Sequence, residues 1–163
     1  SSILMPFCQI LLKIMPYYCI NYVNKLHLGR NMSNTPIGIT RFDGADAAAG
    51  GTPRPFAKAV RAGDFIYVSG QVPTVEGEVV SGGIIAQTEA VMENIISVLS
   101  LADCGLEHVV KVSVWLDDTR DFSSFNSVFA KYFTAHPPAR STVQSAIMVD
   151  AKVEMDVVAY KPE

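Results

Sequence analysis

The sequence predicts an α+β sandwich: one antiparallel-rich sheet with two helices covering a single face, in the order β-β-β-α-β-α-β-β. Three observations carry this. Residues 83–104 place apolar side chains at Ile84, Val91, Ile95, Val98, Leu99 and Ala102, with Thr88 in register; these steps of three, four and seven mark one helical face. Residues 108–116 alternate Val110, Val112, Val114 and Leu116 against Lys111, Ser113 and Trp115, the period of a half-buried strand. Phe122, Phe125, Phe129, Tyr132 and Phe133 recur at helical spacing and predict a second amphipathic helix.

The remaining elements follow in chain order. Ile37 to Phe42 predicts a short strand, and the small, turn-prone run Ala47 to Pro53 a loop. Phe56 to Arg61 and Phe65 to Val68, separated by Gly63-Asp64, predict a hairpin. Its second strand should end in Ser69-Gly70-Gln71-Val72-Pro73, because glycine and proline interrupt regular pairing. Gly105 is placed to close the first helix in the left-handed conformation. Asp117, Asp118 and Thr119 offer caps for the second helix, which His136-Pro137-Pro138 should end. The final strands are expected at Thr142 to Met148 and Val153 to Tyr160, as a hairpin turning at Val149 to Lys152. With both helices on one face, the opposite face needs its own cover, and a second copy is the simplest one.

Composition divides the chain. The 163 residues are 49% hydrophobic and 18% charged with net charge -3, which excludes a disordered chain and disfavours a general nucleic-acid binder. Residues 1–41 hold Lys13, Lys25, Arg30 and Arg41 and no acid; the other residues hold nine basic and sixteen acidic side chains, a net of -7. The apolar run at 3–23 is interrupted by Pro6, Lys13 and Pro16, which argues against a membrane-spanning helix. Residues 1–32 are therefore expected to be a basic leader or a non-native extension outside the fold, with 33–163 a single domain. A cytoplasmic location is expected, with organelle targeting by residues 1–32 as the alternative and no stable membrane association. Cys8, Cys19 and Cys104 form no C-x-x-C pair or Cys/His cluster, so neither a structural zinc site nor a disulfide framework is expected. Cys104 is expected to be a small core side chain.

No phosphate-binding loop, dinucleotide fingerprint, H-E-x-x-H or G-x-S-x-G occurs, and neither His108 nor His136 has a motif around it. Pro138-Ala139-Arg140-Ser141-Thr142-Val143 is the conspicuous stretch, followed by Glu154. An arginine entering a strand behind a double proline is well held for bidentate carboxylate recognition. Spacing alone favours a surface arginine and a surface glutamate.

Arg54-Pro55-Phe56, Ala62 to Pro73, Phe125-Asn126, Pro138 to Val143 and Val153-Glu154-Met155 together resemble the RidA/YjgF reactive intermediate deaminase family, over roughly residues 52–162 and in the family's order. The resemblance implies a chorismate-mutase-like fold of the bacillus type and a homotrimer with clefts between subunits. It implies hydrolysis of 2-imino and 2-enamino acids to 2-oxo acids and ammonia, without cofactor or metal. Arg140 matches the arginine that holds the substrate carboxylate, and Glu154 the glutamate that orients or activates water. Phe56, Ser69, Gly70 and Asn126 match positions near the cleft, and Thr142 one whose backbone faces the substrate. Phe56 replaces the family's frequent Tyr and Thr142 its frequent Cys, departures that bear on substrate range. The competing readings are a non-catalytic trimer that binds small carboxylates and the ribonuclease or translation-inhibitor role by which some relatives are labelled. The acidic body and the absence of a basic stripe disfavour the latter. A specialised deaminase, acting on an aminomuconate-type enamine for example, is a further alternative.

Overall fold

The computed structural model describes residues 38–42 and 55–162. The expected leader at 1–32, the loop at 47–53 and Arg54 lie outside the described residues. Among the described residues, eight strands and two α-helices follow one another: β1 (Ile39–Phe42), β2 (Ala59–Ala62), β3 (Phe65–Gln71), β4 (Thr74–Val75), β5 (Glu78–Val79), α1 (Gly83–Leu101), β6 (Val109–Leu116), α2 (Phe122–Tyr132), β7 (Ala139–Gln144) and β8 (Val153–Tyr160). Six strands form one sheet in the order β1-β2-β3-β8-β6-β7. The β6–β7 pair is parallel and the others are antiparallel.

The core lies between the two helices and one face of this sheet. Val91, Met92, Ile95 and Leu99 of α1 and Phe125 of α2 are buried with Ile66, Val112, Val114, Met155 and Val157 of the strands. Alternation in β8 is complete: Val153, Met155, Val157 and Ala159 are buried, while Glu154, Asp156 and Val158 are half-buried on the opposite face. In β6 a bulge between Val109 and Lys111 turns Val109 inward and leaves Val110 exposed, so the expected alternation begins only at Val112. Cys104 is buried as expected, and burial pushes its thiol pKa up.

Buried polar groups in α1 are paired. Thr88 Oγ1 donates to the Ile84 carbonyl at 2.7 Å. Gln87 Nε2 donates to the Val80 carbonyl at 2.9 Å, while its Oε1 accepts from the Lys152 backbone N–H at 2.7 Å. This amide therefore ties the start of α1 to the approach of β8.

Several expectations are corrected. The final two strands do not form a hairpin, because β6 lies between them. The reason is the connection: α2 carries the chain back over the sheet, and a crossover of that kind delivers a parallel strand, so β7 joins the outer edge of β6. β7 also spans Ala139–Gln144 rather than Thr142 to Met148. Pro137-Pro138 sets the extended backbone early, and beyond Gln144 the Ser145 N–H bonds the Leu116 carbonyl at 2.9 Å, where β6 itself ends. β3 ends at Gln71, within the expected Ser69 to Pro73, and reaches it through a register shift between Val68 and Gln71. A small hairpin, β4–β5, was not anticipated; its two-residue turn has positive φ at both Glu76 (53°) and Gly77 (89°), the geometry of tight hairpins. α1 ends at Leu101, and Asp103 (φ 56°) takes the left-handed conformation expected of Gly105, which is extended.

Candidate active site

Arg140 is carried by β7 opposite Val112 of β6. Val112 is a core residue, so Arg140 shares the helix-covered face at the sheet's edge. Its guanidinium carbon lies 4.8 Å from the centroid of the Phe129 ring, 5.4 Å from Phe125 and 5.9 Å from Phe122, all on α2. Aromatic faces at these distances attract a cation without using its N–H donors. Arg140 has no hydrogen bond or ion pair among the described residues, and burial pulls its pKa down. It is a half-buried cation whose five donors are available for an anion. The aromatic stripe of the second amphipathic helix is thus also the floor of this arginine. Helical periodicity placed those rings on one face but held no sign that an arginine from another strand would lie over them.

Glu154 is carried by β8 opposite Trp115. It alternates with the buried Val153 and Met155 and so points to the other face of the sheet. Burial first, and then the charge of Asp156, raise its pKa. Gly70 makes room for it: a Cβ at Gly70 would overlap Oε1 of Glu154 and lie 3.2 Å from its Cδ. The bulge of β3 brings this glycine over the carboxylate. Asp156 and Trp115 are neighbours of Glu154 that the motifs did not single out.

The other expected site residues divide between these two places. Ser69 adjoins Gly70; its Oγ donates to the Ala57 carbonyl at 2.7 Å and its N–H to the Lys58 carbonyl at 3.0 Å. Ser69 thereby fastens the segment that carries Phe56, itself 55% exposed. Asn126 is half-buried on α2, four residues after Phe122 and three before Phe129. Thr142 lies two residues beyond Arg140 on the same face, opposite the buried Val114. Its Oγ1 is buried without a hydrogen-bond partner. Arg140, Asn126 and Thr142 thus stand on the helix side, and Ser69, Gly70 and Glu154 on the other half of the arrangement.

Within one chain these halves do not meet. Arg140 aligns with Val112 and Glu154 with Trp115, three residues apart along β6 or ~10 Å, on strands either side of β6 and on opposite faces. Of the two histidines described, His108 accepts at Nδ1 from the Gly105 N–H at 3.0 Å, and His136 lies exposed beyond α2. Among the described residues no group of three His, Cys, Asp or Glu side chains could hold a metal ion.

Comparison with known proteins agrees with the fold and the motif order. The sequence model of the family described as Endoribonuclease L-PSP matches residues 48–161. A RutC family protein of Pyrococcus abyssi is 43% identical over 110 residues, which are 66% of this chain and 87% of that protein. Protein MMF1, mitochondrial, of Saccharomyces cerevisiae is 41% identical over 108 residues (65% and 74%). Reactive Intermediate Deaminase A, chloroplastic, of Arabidopsis thaliana is 36% identical over 124 residues (74% and 64%). Among solved structures, yeast Mmf1 superposes with a TM-score of 0.68 at 35% identity, covering 76% of this chain and 98% of that one. The YjgF gene product of E. coli superposes at 0.63 and 31% identity, covering 74% and 95%. Two helices on one face of this sheet are therefore the chorismate-mutase-like arrangement of those structures, and the chain belongs to the Endoribonuclease L-PSP family, also called YjgF/RidA.

Proposed function

We propose that this protein hydrolyses reactive 2-imino and 2-enamino acids, such as 2-iminopropanoate and 2-aminoacrylate, to 2-oxo acids and ammonia. The observation that carries this reading is Arg140, a half-buried guanidinium on an aromatic floor with no ion pair among the described residues. Membership of a family that includes a protein named Reactive Intermediate Deaminase A supports it. Arg140 binds the substrate carboxylate in bidentate fashion and fixes the imine carbon in place. Glu154 accepts a proton from water as the oxygen bonds to that carbon, and the C=N electron pair takes a proton at nitrogen. In the resulting carbinolamine the hydroxyl proton passes to nitrogen as the C–N bond breaks, which releases ammonia and leaves the 2-oxo acid. A 2-enamino acid first takes a proton on its β-carbon and gives up one from nitrogen, becoming the tautomeric imine. The raised pKa of Glu154 makes it a stronger proton acceptor than an exposed carboxylate.

Opposite placement of Arg140 and Glu154 leads us to a site shared between copies, Arg140, Asn126 and Thr142 from one and Glu154, Gly70, Ser69 and Phe56 from the next. We take the assembly as the homotrimer that the resemblance implies. Exposed rings of Phe65, Tyr67 and Tyr160 cluster on strands of the sheet, with centroids 5.2 and 6.4 Å apart, and suit burial against another chain. The mitochondrial and chloroplastic labels of two relatives support organelle targeting by the basic leader over a purely cytoplasmic location.

The test is imine turnover in a panel of imino acids generated by an amino-acid oxidase. Wild-type protein should accelerate 2-oxo acid formation, and Arg140→Ala should lose at least ~100-fold in rate. No acceleration with any imine would sink the proposal. Full activity in Glu154→Gln would remove the proton-acceptor role from Glu154.

A further inference from the structure

Beside Arg140 lies a cleft of about 230 Å³ whose walls include Leu116, Thr119, Phe122 and Thr142. It is continuous with the arginine's surroundings in two ways. Phe122 lines the cleft and also stands 5.9 Å from the guanidinium carbon. Thr142 is two residues from Arg140 on the same strand and face, so the cleft opens ~7 Å along β7 from the arginine. That interval is the reach of an extended side chain on a substrate whose carboxylate sits at Arg140. The walls are formed largely by carbon, from buried Leu116, half-exposed Phe122 and exposed Val143.

We propose that this cleft receives the side chain of the imino acid, and that the protein prefers 2-imino acids with extended apolar side chains to three-carbon ones. The inference rests on the deaminase reading above and adds the substrate class. The cleft is much larger than a methyl group, so the methyl of 2-iminopropanoate would leave most of its apolar walls wet. Each methylene that fills a fitting apolar pocket raises kcat/KM by ~10-fold or more. Thr119 sits exposed at the rim, at the start of the 3-10 turn before α2, where a larger side chain can close the mouth without entering the core.

Imines made from leucine and from alanine by one oxidase separate the outcomes. Wild-type kcat/KM should be at least ~10-fold higher for the leucine-derived imine. Thr119→Trp should lower that value at least ~10-fold more than it lowers the value for the alanine-derived imine. Equal wild-type values for the two imines, or an equal loss on both in Thr119→Trp, overturn the assignment. The wild-type comparison stands whether or not the tryptophan variant folds. Arg140→Ala run alongside keeps the two readings apart. If it abolishes turnover while Thr119→Trp shows no discrimination, the cleft assignment alone fails. If it retains full turnover, the carboxylate site itself fails.

Discussion

Gly70 and Glu154 depend closely on one another. The carboxylate occupies space that any Cβ at position 70 would claim. Gly70→Ala should displace it, and a misplacement of about 1 Å in a proton-transfer group lowers kcat on the order of 100-fold. The measurement is steady-state imine hydrolysis beside a thermal melt; an unchanged kcat would mean the carboxylate works from another position. Ionisation of Glu154 gives a second expectation. Burial and Asp156 hold its pKa above the usual glutamate range, so the fold disfavours the charged form. The resulting loss of stability appears as pH rises through the raised pKa and is absent in acid, where folded and unfolded chains are both protonated. Glu154→Gln should therefore raise Tm near about pH 8 and leave it unchanged near about pH 3. The activity limb assigned to this base should rise with pH at a value above that of an ordinary carboxylate. Sequence blocks identified both residues through the family's motifs. What they could not convey was the contact between Gly70 and Glu154, because it depends on one extra residue in β3 where regular pairing was expected to stop.

At the scale of elements, α2 joins stability to binding. Its rings and that of Phe133 just beyond it pack in tilted contacts, with Phe125 and Phe129 centroids 5.5 Å apart and Phe129 and Phe133 4.7 Å apart, while two of the same rings floor Arg140. Phe129→Leu keeps most of the core volume and should lose under about 1.5 kcal/mol of stability. It removes the ring nearest the guanidinium, and KM should rise roughly 2–30-fold, the equivalent of one partly buried cation–π contact. Steady-state kinetics and denaturant melts separate the two effects; an unchanged KM would reduce the ring to core packing. α1 and most of β6 were legible because each buries one face, so Ile84 to Leu99 and Val112 to Leu116 carry their periods openly. β7 was not. It is an edge strand that carries Arg140 and Thr142 where a central strand would carry valines, and Ala139 to Gln144 holds no period to read. The pairing of β7 was illegible for a related reason: sequence neighbours suggest a hairpin, whereas the crossover through α2 inserts β6 between β7 and β8.

For the whole molecule, the consequence of that inserted strand is that one chain separates its own Arg140 from its own Glu154. A shared site makes a prediction that a self-contained one does not. Arg140→Ala and Glu154→Gln should each be nearly inactive when purified alone. Unfolded together in equal amounts and refolded, they form mixed assemblies in which some interfaces bring the intact arginine of the glutamine variant to the intact glutamate of the alanine variant. With one subunit giving each half, random mixing leaves roughly a quarter of the interfaces whole, since each half is intact with a chance of about one in two. Imine hydrolysis should recover to about that fraction of wild type, and only after the chains exchange. Mixing the two folded proteins without exchange serves as the control and should show no recovery. If co-refolded material stays as inactive as its parents while sizing shows mixed assemblies, Arg140 and Glu154 do not act across an interface. The open sheet face would then have some purpose other than completing the site.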